Sequence, residues 1–370
     1  MDIYPLGVRS RKIHNINGLT MHVLEAGYDN CENKPCLVLL HGFPELAYSW
    51  RKVLLPLANA GYYVIAPDQR GYGYTEGWNG NYEGDISEYE ITNLVKDIIS
   101  LVFSTGRKSI DCLIGHDFGS IVAAHATLIR PDVFKAVVLM SAPFEGVPSI
   151  DIEPKVDITD VHKDMANLSK PRKHYQWYYS TDQANSDMIN SIQGLKNFLR
   201  AYYHVKSGDW ESNKPFKLNS WDASELEKLP GYYIMDYGLN MAEQVNLEMP
   251  SEEEIKNCTW LKNEELEYYI TVYNKTGFQG GLNWYRCMID SNIRSRLEIY
   301  SGLKIAVPSL FIAGKKDWGI YQKPNALENM QNISCSNMQE ISLIENAGHW
   351  VQQEKPEEVI KVLLNFISNL

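Results

Sequence analysis

The sequence predicts an α/β fold in which a mostly parallel, doubly wound sheet is interrupted by one helical insertion. Short apolar runs of strand length alternate with helix-length segments up to Met140 and again after Val307. Between Phe144 and about Ile299 this alternation stops, and tyrosines, tryptophans and charged residues crowd together. Strands that alternate with helices are typical of parallel sheets with crossover helices. We therefore expect a core built from residues 1–145 and 300–370, with a connector and a helical region over residues 146–299.

Each expected element has its own sequence signal. Thr20–Ala26 alternates loosely between apolar and polar residues, as an antiparallel strand near a sheet edge does. The short apolar runs expected to form buried strands are Cys36–Leu40, Tyr63–Ala66, Ile110–Ile114, Ala136–Met140, Ser309–Ala313 and Glu340–Ile344. The expected crossover helices are Trp50–Ala60, Ile91–Ser104 and Ser120–Ile129. Residues 143–160, rich in proline and aspartate, predict an extended connector, and residues 357–370 predict a final helix.

The composition is that of a folded protein with an excess of acidic residues. Of the 370 residues, 44% are hydrophobic and 22% are charged, which are ordinary values for a globular chain. The net charge of -11 would repel nucleic acid and anionic lipid, so neither is an expected partner. Residues 1–18 lack the apolar segment of a secretory signal, and no stretch has the length of a membrane span, so we expect a cytoplasmic protein without an integral membrane segment. The six cysteines lack CxxC spacing, and we expect neither a metal site nor an organic cofactor.

The motif GHDFG carries the first chemical signal. Its residues, Gly115, His116, Asp117, Phe118 and Gly119, lie between an expected buried strand and an expected helix. Glycines two positions before and after a central residue permit the sharp turn that exposes a nucleophile. The bare pattern GxDxG is common in ordinary turns, so its position in the chain is what favours a nucleophile. An ionised aspartate there attacks a saturated carbon and forms an alkyl ester, and the expected substrates are therefore epoxides or alkyl halides.

A general base and its acidic partner are expected on loops after later strands. His349 follows the last core strand, at the carboxyl end where ligands bind in open α/β sheets. Asp317 follows the strand before it, which gives the chain order nucleophile, acid, histidine. Either residue alone would be an ordinary loop side chain. Together they predict that His349, oriented by Asp317, activates the water that hydrolyses the ester.

Backbone N–H groups are expected to form an oxyanion hole. One donor is Phe118, directly after the nucleophile, and the other is Phe43, on the loop that follows the run CLVLL. A proline follows Phe43 and is expected to hold this loop rigid, and a cis peptide bond is one conformation that it allows. The residues expected to support the site structurally are His41, Gly42, Pro44, Gly115, His116 and Gly119.

Over nearly the whole chain these motifs resemble those of the soluble epoxide hydrolases. The resemblance rests on HGFPE, PDQRGYG, GHDFG, GGLNWYR, VPSLFIAGKKD and AGHWVQQEKPEEV. It implies an α/β-hydrolase core with a helical cap, and two cap tyrosines whose hydroxyls hold the epoxide oxygen. Residues 175–285 contain twelve tyrosines, and by motif Tyr175 in HYQWYY and Tyr285 in NWYR match the family positions. The implied partners are a small-molecule epoxide and water.

Other functions and two departures from the family stay open at this point. Phe118 stands where tryptophan is commoner, and the connector over residues 146–173 is long, which leaves the shape of the substrate tunnel open. Haloalkane dehalogenases share the fold, but they need N–H donors for the departing halide. The side chain of Phe118 cannot supply one, and Trp50, Trp177 or Trp284 would have to. A sensor that binds an epoxide or a lipid mediator with little turnover is the alternative of another class. The physiological epoxide stays open, and so does the choice between a monomer and a homodimer.

Overall fold

The computed structural model describes residues 4–150 and 158–370, with an eight-stranded sheet at its centre. The strands, numbered in chain order, are β1 (Val8–Ile16), β2 (Leu19–Ala26), β3 (Cys36–Leu40), β4 (Tyr63–Pro67), β5 (Cys112–His116), β6 (Val137–Met140), β7 (Arg172–His174), β8 (Ile234–Asp236), β9 (Ser309–Gly314) and β10 (Met338–Ile344). The large sheet has the order β1-β2-β4-β3-β5-β6-β9-β10. The β1–β2 and β2–β4 pairs are antiparallel and its other pairs are parallel. The predicted fold class is confirmed.

The carboxyl ends of the parallel strands meet at one edge of this sheet. Leu40, at the end of β3, pairs with Gly115 of β5, and His116 pairs with Met140 of β6. Because β4 lies on one side of β3 and β5 on the other, the winding of the chain reverses beside β3. Ligands bind outside the carboxyl ends of strands at such a switch point. The loops after β3 and β5 therefore begin where a substrate is expected.

Helices accompany the sheet on both faces and fill the long connection between β6 and β9. In the described part of the chain they are α1 (Leu54–Asn59), α2 (Ile91–Ser104), α3 (Phe118–Ile129), α4 (Ile158–Ala166), α5 (Tyr175–Tyr179), α6 (Ala184–Ile189), α7 (Gly194–Lys206), α8 (Ala223–Leu226), α9 (Met241–Asn246), α10 (Glu252–Asn257), α11 (Asn263–Thr276), α12 (Gln279–Ile289), α13 (Ser291–Ser295), α14 (Ala326–Asn329), α15 (Val351–Glu354) and α16 (Pro356–Ile367).

The first crossover helix begins later than predicted. The expected range was Trp50–Ala60, but α1 starts at Leu54, and a 3₁₀ turn ends at Trp50. Pro56 explains the difference, because a proline fits the first turn of a helix but disrupts the interior of one that began at Trp50. Trp50 is instead fully buried among core residues on one face of the sheet.

Several strands also differ from expectation. β5 runs to His116 rather than from Ile110 to Ile114, because its pairing with β6 continues through the motif glycine. α3 accordingly begins at Phe118, two residues before the expected start. β1 was not predicted, since arginines and lysine dominate its exposed positions and obscure its alternation. Nor were β7 and β8, which are three residues long and too short to give a periodic signal.

The described residues between 144 and 299, called the helical insertion below, pack over the carboxyl edge of the sheet. The Tyr203 hydroxyl donates a hydrogen bond to the carbonyl of Pro44 at 2.9 Å, and the backbone N–H of His349 donates one to the carbonyl of Lys206 at 2.8 Å. Residues 151–157, in the middle of the predicted extended connector, lie outside the described residues, and α4 has begun by residue 158. No helix among the described residues is long and apolar enough to cross a bilayer.

Candidate active site

Asp117 sits on a strained turn between β5 and α3. Its backbone has φ 53° and ψ -119°, a conformation that side chains other than glycine adopt rarely and that is found where structure over-determines a functional residue. The glycines on either side permit the turn. A Cβ on Gly115 would lie 2.1 Å from the carbonyl oxygen of Gly119, and one on Gly119 would lie 2.4 Å from that of Leu40. The turn therefore has the geometry of a nucleophile elbow, as the motif predicts.

The loop after β3 supplies a backbone donor to Asp117. The N–H of Phe43 donates a hydrogen bond to Oδ1 of Asp117 at 3.0 Å, and the Phe43–Pro44 peptide bond is cis. Gly42 has to be glycine, because a Cβ there would lie 2.4 Å from the same Oδ1. The N–H of Phe118 makes no hydrogen bond to the carboxylate among the described residues. The N–H of Phe43 thus contacts the carboxylate, and Phe43 and Phe118 both stay predicted oxyanion-hole donors.

His349 lies between two carboxylates. Its Nε2 is 3.2 Å from Oδ2 of Asp117, and its Nδ1 is 3.1 Å from each carboxylate oxygen of Asp317. Asp317 is fixed in turn by the N–H of Gly319, which donates to Oδ1 at 2.7 Å. The Asp117 side chain is 17% exposed, against 1% for Asp317, so only the first carboxylate is accessible to a substrate.

The electrostatics of these groups favour an ion pair at rest. Burial would raise the pKa of Asp117, but contact with His349 and the charge of Lys206 outweigh it and hold this pKa well below its usual range. Burial and the charge of Lys206 would lower the pKa of His349, yet the carboxylates of Asp317 and Asp117 together outweigh them and raise this pKa to about 9. These shifts favour an Asp117 carboxylate beside a protonated His349 at neutral pH.

A buried polar network behind the site fixes the loops that carry it. Nδ1 of His116 lies 2.6 Å from Oε2 of Glu45, and its Nε2 lies 2.7 Å from the carbonyl oxygen of His349. Burial would raise the pKa of Glu45, but His116, with His41 and His349, outweighs burial and lowers this pKa, so the carboxylate stays charged. His41 is also buried. Its Nδ1 is 2.9 Å from the carbonyl oxygen of Gly42, and its Nε2 accepts the N–H of Gln69. The rings of His41 and His116 therefore bond buried groups of the protein that hold the loops together, and they do not face the accessible oxygen of Asp117.

Tyr175 and Tyr285 come from different helices of the insertion and meet above Asp117. Their ring centroids are 5.9 Å apart, and the Tyr285 ring lies 4.9 Å from that of Phe118. The Tyr175 hydroxyl donates to Oε1 of Gln322 at 3.1 Å, whereas the Tyr285 hydroxyl has no hydrogen-bond partner in the described part of the chain. Burial, and after it the charge of Asp117, raises the pKa of both phenols, so they remain proton donors across the accessible pH range.

The structure adds residues that the sequence did not single out. Glu45 was visible within the motif HGFPE, and its spacing from His41 was the available signal. Gln322, Lys206 and Glu354 carried none, because glutamine, lysine and glutamate in loops and helices are usually exposed. Glu354 accepts hydrogen bonds from the N–H groups of Gly208, Gly348 and Trp350, and it thereby ties the His349 loop to the insertion.

Comparisons with known proteins agree with this geometry. Residues 35–356 match the model of the alpha/beta hydrolase fold family. The chain is 31% identical to epoxide hydrolase A of Mycobacterium tuberculosis, over 99% of both chains, and 29% identical to epoxide hydrolase 3 of Siraitia grosvenorii, over 96% of both. Among solved structures, an epoxide hydrolase from an endophytic Streptomyces superposes with a TM-score of 0.78 at 27% identity, covering 99% of this chain and 96% of that one. A laboratory-evolved variant of potato epoxide hydrolase superposes with a TM-score of 0.76 at 28% identity, covering 98% and 100%. The chain therefore belongs to the epoxide hydrolase family of the α/β-hydrolase superfamily.

Proposed function

We propose that this protein hydrolyses epoxides to vicinal diols through an alkyl ester on Asp117. The observation that carries the proposal is the chain of contacts from Asp117 through His349 to Asp317. Opposite it lie the phenols of Tyr175 and Tyr285, whose hydroxyls make no hydrogen bond to an acidic side chain in the described part of the chain. Epoxide opening and ester hydrolysis require an accessible carboxylate as nucleophile, an imidazole oriented by a second carboxylate, and two proton donors.

In the first step a carboxylate oxygen of Asp117 attacks the less hindered ring carbon. The ester C–O bond forms as the ring C–O bond breaks, and the electron pair goes to the ring oxygen. Tyr175 and Tyr285 hold that oxygen, and one of them gives it a proton. The raised pKa of both phenols makes them strong enough bases, once ionised, to recover a proton from His349.

In the second step His349 acts as the general base. Esterification removes the negative charge of Asp117, which helps to hold the pKa of His349 high, so the imidazole becomes free to accept a proton from water. The water oxygen adds to the ester carbonyl, whose developing negative charge is stabilised by the N–H of Phe43, with Phe118 as the second donor. The diol oxygen leaves with the proton from His349. The proton left on the Asp117 carboxyl returns to His349.

We also propose that the helical insertion is a cap and that the chain divides as residues 1–145 and 300–370 for the core and 146–299 for connector and cap. The hydrogen bonds that cross from Tyr203 to Pro44 and from His349 to Lys206 support this division, because they seat the insertion on the loops of the site. A cytoplasmic location, and a monomer or homodimer, stay predictions.

The indole groups argue against a haloalkane dehalogenase. The N–H of Trp284 donates to the carbonyl oxygen of Arg70 at 3.0 Å and is therefore occupied. Trp50 is fully buried in a core cluster that does not include Phe43 or Tyr285. The ring of Trp177 packs against His162 and His174. The Trp284 N–H is thus occupied, and among the described residues neither Trp50 nor Trp177 makes a hydrogen bond or ring contact with Asp117 or the two site tyrosines.

The decisive experiment measures diol formation from aryl, terminal and fatty-acid epoxides beside halide release from short haloalkanes. Asp117→Ala tests the nucleophile, and Asp132→Ala, an exposed aspartate just after α3, is the matched control. Diol that disappears in Asp117→Ala and persists in Asp132→Ala supports the proposal. Halide without diol would favour the dehalogenase, and neither product from a folded protein would favour a sensor.

A further inference from the structure

The side chain of Lys206, the last residue of α7, is buried and has no polar partner among the described residues; burial lowers the pKa of its ammonium, whereas the charge of Asp117 raises it. The residue is 3% exposed. Its ammonium nitrogen makes no hydrogen bond and no ion pair with any of the described residues. Burying a charged group is costly unless it is paired, and an ammonium carries three N–H donors that need acceptors. The three donors of Lys206 are therefore available to a molecule that enters the site.

Aromatic rings surround this ammonium and hold it without using its hydrogen bonds. The ring centroids within 4.9–6.0 Å of Nζ belong to Tyr175, Tyr202, Tyr232, Tyr233 and Trp350. Ring faces attract a cation through their quadrupole, but they are weak substitutes for oxygen acceptors. The hydroxyls of Tyr175 and Tyr232 bond elsewhere, to Gln322 and Asn213. The cage thus fixes the position of the charge and leaves its donors unused.

The caged ammonium belongs to the catalytic site. Tyr175, one wall of the cage, is also one of the two phenols proposed to hold the epoxide oxygen. The carbonyl oxygen of Lys206 accepts the backbone N–H of His349, which joins the two residues directly. Consistent with this proximity, the charge of Lys206 lowers the pKa of both Asp117 and His349.

The charge of Lys206 also changes which substrates can approach Asp117. Burial lowers the pKa of Lys206, but the charges of Asp117, Asp317 and Glu45 raise it and favour the charged form. Without Lys206 this group of carboxylates would be more negative and would repel an anion more strongly. A lysine here costs folding free energy, and for a neutral epoxide an apolar side chain would fill the cage at less cost.

We propose that Lys206 is an anion-binding subsite and that the preferred substrates carry a carboxylate on or next to the oxirane ring. This inference rests on the proposed epoxide hydrolysis. The substrate carboxylate accepts hydrogen bonds from Nζ while Tyr175 and Tyr285 hold the ring oxygen, which leaves a ring carbon directed at Asp117. The carboxylate takes no part in bond making or breaking, so the two-step cycle is unchanged.

The test compares oxirane-2-carboxylate with oxirane-2-carboxamide, which have similar shape and differ in charge. Lys206→Met removes the charge at similar length, and Lys206→Arg keeps it. Lys173→Met is the matched control, because that ammonium also lies over tyrosine rings, at 5.1 Å from Tyr178 and 6.0 Å from Tyr237, but is only half-buried and has Asp187 and Glu243 rather than Asp117 as its charged neighbours. Thermal unfolding of each variant checks that it is folded.

We expect kcat/KM of the native chain to be higher for the carboxylate than for the carboxamide. In Lys206→Met the ratio of the two should fall by at least about 30-fold, since loss of one partner of a buried charged hydrogen bond is typically worth that much. Lys206→Arg should keep part of the preference and Lys173→Met all of it. If kcat/KM fell equally for both substrates in Lys206→Met, the proposal would be overturned, because Lys206 would then act only as a positioning residue for Asp117 and His349.

A binding measurement separates this inference from the proposed function. Calorimetry with 2,3-dihydroxypropanoate, the diol acid that the carboxylate would yield, needs no turnover. If no epoxide is hydrolysed, the proposed function fails, but binding of the diol acid that is lost in Lys206→Met and kept in Lys173→Met would still support the anion subsite. Binding that is the same in Lys206→Met, or absent from the native chain, overturns it.

Discussion

The two halves of the site are held in place by different kinds of interaction. The core half is fixed by backbone: Asp117 lies on a turn with positive φ, Gly42 leaves room for its carboxylate, and the N–H of Phe43 binds it. The insertion half is fixed by packing of side chains, with the rings of Tyr175 and Tyr285 against their aromatic neighbours. Few sequences satisfy such backbone constraints, whereas many combinations of aromatic residues can pack in this way. In the proposed reaction the core therefore supplies the nucleophile and the general base, and the insertion supplies the groups that hold and protonate the substrate oxygen.

The largest expected effect comes from the core half. In His349→Gln the ester should form but lose its general base, and turnover should fall by about 10²–10⁴-fold. Intact mass spectrometry after mixing with an epoxide should then show the chain with one substrate mass added. His14→Gln, an exposed histidine on β1, should show neither change. An unmodified chain in the His349 variant would refute the two-step scheme.

A smaller loss is expected from the insertion half, at the first step rather than the second. Tyr175→Phe and Tyr285→Phe each remove one of two donors to the ring oxygen, so each should lower the rate of ester formation by about 10²-fold, and the double variant by more. No ester should accumulate in these variants. Tyr178→Phe is the control, since it removes a hydroxyl that bonds Asp187 at 2.8 Å elsewhere on the insertion. Ester accumulation in the tyrosine variants would mean that these phenols serve hydrolysis instead.

The same contrast explains what the sequence could predict. The sheet and the positions of Asp117, Asp317 and His349 follow from apolar runs and from glycines at fixed spacing, because backbone geometry leaves a local trace in sequence. The start of α1 was missed although Pro56 was visible, since its position in the helix decides whether it is tolerated. β5 was placed two residues early because pairing with β6, a long-range contact, sets its end.

The insertion half was predictable only through family resemblance. Twelve tyrosines share its sequence, and no local pattern separates Tyr175 and Tyr285 from the others. Lys206 gave no signal at all, because its cage is assembled from α5, α7, a loop before β8 and the residue after His349. Contacts of such different sequence separation exist only in the folded chain.

The pH dependence of ester hydrolysis should sharpen the comparison. His349 has a pKa of about 9 while Asp117 is charged, and the ester lacks that charge, so the pKa that governs hydrolysis should lie below about 9. Below it, the rate of ester decay in single-turnover measurements should fall about tenfold per pH unit, because only the neutral imidazole accepts a proton. Lys206→Met should move the profile to higher pH, since the ammonium lowers the pKa of His349. A rate independent of pH would remove His349 as the base.

The smallest effect is expected where the two halves are joined, at Glu354. Burial raises the pKa of Glu354 to about 7, although the hydrogen bonds that it accepts from the N–H groups of Gly348 and Gly208 lower this pKa. Because the folded-state pKa exceeds the unfolded value of 4.5, the stability that this group contributes is present below pH 4.5 and is lost as the pH rises through 7. Between pH 5 and 8 the native chain should therefore lose about 1–3 kcal/mol of unfolding free energy relative to Glu354→Gln, which does not titrate. Urea unfolding at both pH values measures this difference, with Glu357→Gln, exposed on the first turn of α16, as the control. If the unfolding free energies of Glu354→Gln and the native chain change with pH in parallel, then the Glu354 carboxylate is paired or solvated. The contact between core and insertion at Glu354 would then not respond to pH.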